Sequence, residues 1–422
     1  MECGRTNPRA EFSVVTNPFQ APLKTVRIQE PGAHQAHGWA FLRLGFRPFY
    51  LGAALFAMVA VPAWVLVWLG YLQWTPALAP VWWHAHEMLF GFVAAVVIGF
   101  LMTAGKAWTG LPTPRGSALG ALALVWLAAR VALWWVPYGV YAVLDFILLP
   151  SVALILLRVL LRSGNRRNLP IAGLLGFMAL ANGVFHASVL GWLNLSPQVP
   201  LYAMLSVVVL LESVMAGRVI PGFTMSAIPG VSIKPLVWLE RSVMLSTGLG
   251  LALWVFAPAE ISPLTAWVLA FAALLHGVRQ SRWSPWACRT RPMLWILQIA
   301  YAWFSIGLGL LAVALWGGVA VSVSAAIHGL AVGATGCLIL GMITRTARGH
   351  TGRKIEADWR EETAFGLILF AGAARVVWPM LAPHQTAWAV GVSALAWAMA
   401  FFIYAITYGP WLMQARKDAK DG

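Results

Sequence analysis

Twelve apolar stretches, each roughly 17 to 27 residues long, follow one another along this chain and leave it few folds to choose from. A stretch of that length crosses the hydrocarbon core of a bilayer as a helix, the form that satisfies its own backbone hydrogen bonds in lipid. The stretches lie near 46–72, 84–106, 116–136, 138–161, 168–192, 199–219, 240–257, 263–279, 292–316, 319–344, 363–381 and 386–412. Only 10% of the 422 residues are charged, against about 25% in a soluble domain, which excludes a soluble enzyme, a disordered chain and a disulfide scaffold. The expected fold is all-α: a polytopic membrane bundle of twelve transmembrane helices over 46–412. A polar tail over 1–45 precedes it and a short tail over 413–422 follows it.

The net charge of +15 would suit a nucleic-acid binder if the basic residues formed one patch, but they fall in short runs between the apolar stretches. Every second connection is basic, and 27 of the 29 Lys and Arg residues lie on one side by this count. The positive-inside rule then places both termini in the cytoplasm, with lipid rather than nucleic acid as the surroundings. Cys3, Cys288 and Cys337 form no CxxC pair and read as structural.

The two remaining basic residues are Arg130, in the third span, and Arg375, in the eleventh. Both lie roughly 9 Å below the outer surface at 1.5 Å per residue, and Asp145 in the fourth span comes out at about 10 Å. Charges at membrane depth are costly and therefore functional candidates. Either Arg130 pairs with Asp145 across the hairpin, or Arg130 and Arg375 meet an anionic group of a cofactor.

Four of the nine histidines share that outer half: His84 and His86 with Glu87 in the second span, His186 in the fifth, His328 in the tenth. Imidazoles projecting inward from several helices at one depth are how a bundle holds haem or metal. Residues two apart on a helix point about 200° from each other, so His84 and His86 serve two different centres, or one of them is a rim residue. His86 and His328 each precede a glycine by five and by thirteen residues (Gly91 and Gly99, Gly333 and Gly341), on spans that both run inward. They are the first expectation for haem ligands, with His84 and His186 as ligands of a second centre or of copper, Glu87 beside them, and Arg130 and Arg375 facing the propionates. The layout resembles that of haem-copper oxidases, although the sixth and seventh spans supply no copper-ligating histidines. Glu212 in the sixth span reads as a partner of Arg218. His276 and His350, nearer the inner face, are candidates for a second site there.

Several motifs carry a more specific resemblance: Phe46-Arg47-Pro48-Phe49, Trp83-His84-Ala85-His86-Glu87-Met88-Leu89-Phe90-Gly91-Phe92, Trp108-Thr109-Gly110, and Thr344-Arg345 with Gly349-His350-Thr351-Gly352-Arg353. Together they resemble the NnrS family. That resemblance implies a twelve-span inner-membrane protein containing haem b and copper, associated with denitrification and tolerance of nitric oxide. The function expected from it is a haem protein that binds, senses or converts nitric oxide, with redox conversion and simple binding both open. Two readings compete with it: a cofactor-free twelve-span transporter, and a b-type electron-transfer cytochrome whose iron accepts no gas. The basic segment at Arg345, Arg348 and Arg353 reads as a cytoplasmic anchor.

Overall fold

The computed structural model describes residues 39–317 and 321–418; the amino-terminal tail, with Cys3, His34 and His37, lies outside the described residues. Among the described residues the chain is helical throughout and has no strand. Eleven helices are long and apolar enough to cross a membrane: α1 Phe46–Trp68, α2 Pro80–Thr109, α4 Tyr138–Arg162, α5 Arg166–Val189, α6 Gln198–Ala227, α7 Val237–Phe256, α8 Ala259–Ser281, α9 Pro292–Leu315, α10 Val323–His350, α11 Trp359–Leu381 and α12 Pro383–Met413. The twelfth apolar helix, α3 Ser117–Ala132, has 16 residues and is about 24 Å long. It is shorter than the expected 116–136, because the chain turns at Trp134 and Trp135 before Pro137, whose fixed φ starts α4. In the opposite sense α6 runs two turns past its expected end at 219, reaching Ala227.

The two most buried helices are α2 and α10, with 78% and 72% of their apolar windows inside the protein, while α1 and α7 bury only 33% and face lipid. Both central helices change pitch at one place. The backbone is π-helical over Glu87–Val93 and again over Gly329–Gly336, each segment starting at the residue after a histidine, His86 or His328. A π-turn puts one extra residue into the helix and loosens its hydrogen bonds. Neighbours close the gaps: the Trp126 indole donates to the Gly91 carbonyl at 2.9 Å, and the rings of Trp303 and Trp397 lie flush against Gly333 and Gly336.

Local signals end and join these helices. Gly110, with φ +69°, stops α2, and a capping box of Asp358 and Glu361 starts α11. Thr103 of α2 accepts the Phe46 N–H at 3.0 Å and so caps α1. Arg47, fully buried, donates to the carbonyls of Leu412 (2.6 Å) and Gln414 (2.8 Å), which are orphans at the end of α12. The first helix thereby holds the last, and α1 packs along α12 as well as α2. Cys288 and Cys337 are buried free thiols.

The close approach of Trp303 to Gly333 is testable. Gly333→Ala would drive a methyl group into the indole, and we expect it to lower stability by about 1–3 kcal/mol in a detergent unfolding titration. Gly366→Ala, where a Cβ meets nothing, serves as the neutral comparison.

Candidate functional site

On the side of the bundle away from the basic loops, the outer half of the sequence reading, α2, α3, α4 and α5 meet around one buried carboxylate. Asp145 of α4 accepts from Arg130 of α3 at Oδ1. Its Oδ2 accepts from Asn182 Nδ2 (2.7 Å) and His186 Nε2 (3.1 Å) of α5, and lies 3.3 Å from His86 Nε2 of α2. Glu87 continues the network: Oε2 accepts from Arg130 at 2.6 Å, Oε1 accepts from the Tyr141 hydroxyl at 3.1 Å and sits 3.3 Å from His86 Nδ1. The Tyr138 hydroxyl is 3.0 Å from His186 Nδ1. Gly91 makes room for this, since a Cβ there would lie 2.5 Å from Arg130 Nη1 and 2.7 Å from Glu87 Oε2.

The ion pair expected between Arg130 and Asp145 is therefore present, but it is one edge of a larger cluster. Two carboxylates face one guanidinium, so the formal balance lacks one positive charge, the condition that favours a bound cation. His86 Nε2, His186 Nε2 and an Asp145 oxygen have the chemistry for such a cation: one ligand atom from each lies within 4.8 Å of the others. Asn182 Oδ1, 3.1 Å from His86 Nε2, adds an oxygen at the same spot.

His84 points away from this cluster, as the 200° separation requires. Its ring stacks on Trp64 with centroids 4.2 Å apart, and its buried Nδ1 has no hydrogen-bond partner. It lines an apolar cavity of about 140 Å³ together with Met88, Phe92, His328 and Arg375. The same three polar residues line an adjoining cleft of about 670 Å³, which reaches the outer ends of the helices at Trp82, Gln198 and Ser322. That size falls within the range of small-molecule sites, about 300–1,000 Å³. His328 Nδ1 donates to the Ser324 carbonyl at 2.7 Å, a bond that needs the proton on Nδ1 and leaves the Nε2 lone pair for another group. Arg375 donates to the Ser324 hydroxyl at 3.1 Å and has no carboxylate partner among the described residues.

Depth, span direction and glycine spacing suggested His86 opposite His328; packing gathers His86 with His186, and brings His84 to the cavity of His328. Arg130 and Arg375 likewise separate, one to each place.

With both places described, a comparison with protein families gives a match to the model described as NnrS protein over residues 40–416. The chain belongs to the NnrS family. No curated protein and no solved structure matches it.

The motifs read from the sequence divide between these two sites and the face that carries the basic loops. Arg348 donates to Glu361 and to Tyr408, Arg353 lies over the Trp411 ring at 4.2 Å, and Arg345 over Phe223 at 3.8 Å. Arg345 and Arg348 tie α10 to α6, α11 and α12, and Arg353, just past the end of α10, adds a contact to α12. The inner histidines do not come together. His276 is engaged by Thr247 (3.0 Å) and Tyr301 (2.7 Å), whereas His350 rests against Phe46, 5.5 Å between ring centres. Glu212 is not Arg218's partner: it accepts from Thr335 at 2.8 Å, and Arg218 donates to Asn168 at 2.9 Å, because Arg218 lies more than a turn further along α6 and is exposed at its inner end.

Asn182, Tyr138 and Tyr141 were missed in the sequence because burying a neutral polar side chain costs far less than burying a charge and so marks it out less. One signal was available: Asn182 stands four residues before His186, on the same face of α5. Arg130→Met, which strips both carboxylates of their counter-charge, is expected to cost about 3–5 kcal/mol in the same unfolding titration. Paired with Asp145→Leu, it should cost less than the sum of the two single changes.

Proposed function

We propose that this protein is a haem-containing, nitric-oxide-handling protein of the bacterial cytoplasmic membrane, with its basic loops and both termini in the cytoplasm. The observation that carries this reading is the pair His84 and His328. Two imidazoles on different helices line one apolar cavity, each with a ring nitrogen left without a hydrogen bond, next to an arginine that lacks a carboxylate. That donor set fits a haem: His84 and His328 would hold it, and Arg375 would face its anionic edge. When bound, haem supplies an iron centre at which a small uncharged gas coordinates. The chain's own contribution is the apolar lining of Met88 and Phe92, which excludes water and admits such a gas.

The cluster of His86, His186 and Asp145 is the place for a metal ion such as copper, with Arg130 and Glu87 fixing the charge around it. The two sites back onto each other across the half turn from His84 to His86. Membership of the NnrS family supports both assignments, since haem, copper and nitric oxide are what the resemblance implies for the family.

An optical spectrum of the detergent-purified protein, expressed with haem supply, tests the reading. Wild type should show a haem spectrum that nitric oxide changes after reduction, with more than about tenfold less haem retained in His84→Ala and in His328→Ala. Arg375→Gln should weaken haem retention without abolishing it. His186→Ala should lower bound metal, measured by mass spectrometry of the elements, and leave haem in place. Full haem content in both His84→Ala and His328→Ala would sink the assignment, and a haem spectrum indifferent to nitric oxide would favour an electron-transfer cytochrome.

A further inference from the structure

At the face that carries the basic loops, the inner ends of α6, α7 and α8 enclose a cleft of about 820 Å³. Arg167, Arg218, Lys234, Arg241 and Arg282 line it and are exposed. Its lining carboxylate, Glu240, is already bonded to Arg279 through two nitrogens. Arg279 is itself held from behind by the Ser213 carbonyl (3.1 Å) and the Tyr301 hydroxyl (2.9 Å), and reaches them across α6 because Gly217 has no side chain in its way. None of the five exposed cations has a carboxylate partner among the described residues. The positive-inside rule accounts for basic loops as such, but not for their convergence on one concavity.

The rest of the lining is apolar, and part of it looks outward: Leu245 is 73% exposed and Met225 40%, on helices that cross the membrane. A cleft with five cations at the water level and exposed hydrocarbon on the membrane side matches an amphiphile with an anionic head. We propose that this cleft is a binding site for an anionic phospholipid of the inner leaflet. Its phosphate is held by Arg218, Lys234 and Arg241, and its acyl chains lie along Met225 and Leu245. Guanidinium groups bind phosphate oxygens through paired N–H bonds, which suits the arginine-rich rim. The site stands apart from the outer-half histidines and does not depend on their assignment.

Native mass spectrometry and thermal unfolding of the full-length protein in detergent, with phosphatidylglycerol, cardiolipin or phosphatidylcholine added, test this. The two anionic lipids should stay bound and raise the melting midpoint, and phosphatidylcholine should do neither. The charge variant Arg218→Gln/Lys234→Gln/Arg241→Gln should retain about tenfold less anionic lipid or lower still. Gly222→Leu should do the same while keeping every charge, since it fills the cleft at a position where a Cβ meets nothing. Arg158→Gln/Arg162→Gln, on the same face and outside the cleft, should retain lipid as wild type does. Equal loss in that last variant would mean general surface charge and overturn the site, as would unchanged retention in both cleft variants. Inorganic phosphate at millimolar concentration protecting as well as the lipids do would replace the lipid with a soluble anion.

Discussion

An ionised carboxylate at membrane depth needs a counter-charge, and Asp145 is where this protein meets that constraint. Its oxygens collect Arg130, Asn182, His186 and His86, which draws α2, α3, α4 and α5 together. Once His86 is committed to that cluster, the helical repeat turns His84 to the other side, against Trp64 and into the cavity it shares with His328. One buried ion cluster thus sets the position of both candidate sites. The short α3 fits the same account: it ends two residues beyond Arg130, soon after the guanidinium has reached its carboxylates.

Most of the fold was legible because spanning a bilayer depends on length and hydropathy, which sequence records directly. Eleven of the spans appear near their expected places, and the twelfth, α3, is present but short. Depth was legible for the same reason, so Arg130 and Asp145 could be paired from their distance below the surface. Rotation about each helix axis was not. It fixes which histidine meets which, and it is shifted in α2 and α10 by π-turns that leave no mark in composition. Glu212 shows a further limit: charge complementarity suggested Arg218, and the observed partner, Thr335, is a neutral residue on a helix distant in sequence.

The π-turns themselves make sense of the spaced glycines after His86 and His328. An inserted residue rotates everything beyond it by about 100° and pushes the backbone outward, so neighbouring side chains must come close to a helix lacking Cβ atoms. At Gly91 the neighbours are Arg130 and Glu87; at Gly333 and Gly336 they are Trp303 and Trp397. The first glycine of each spaced pair therefore serves a different contact: Gly91 admits Arg130 and Glu87, and Gly333 admits Trp303.

Arg47 gives the chain a temporal order. Its carbonyl acceptors, at Leu412 and Gln414, lie 365 and 367 residues further along the chain, so they are made long after Arg47 has entered the membrane with α1. During synthesis this cation must keep to the water interface, where its long side chain can reach, until α12 arrives and closes the bundle on α1. Insertion can proceed helix by helix, but the amino-terminal end of α1 is sealed only once α12 is in place, so the earliest helix waits on a distant one for its last buried contacts.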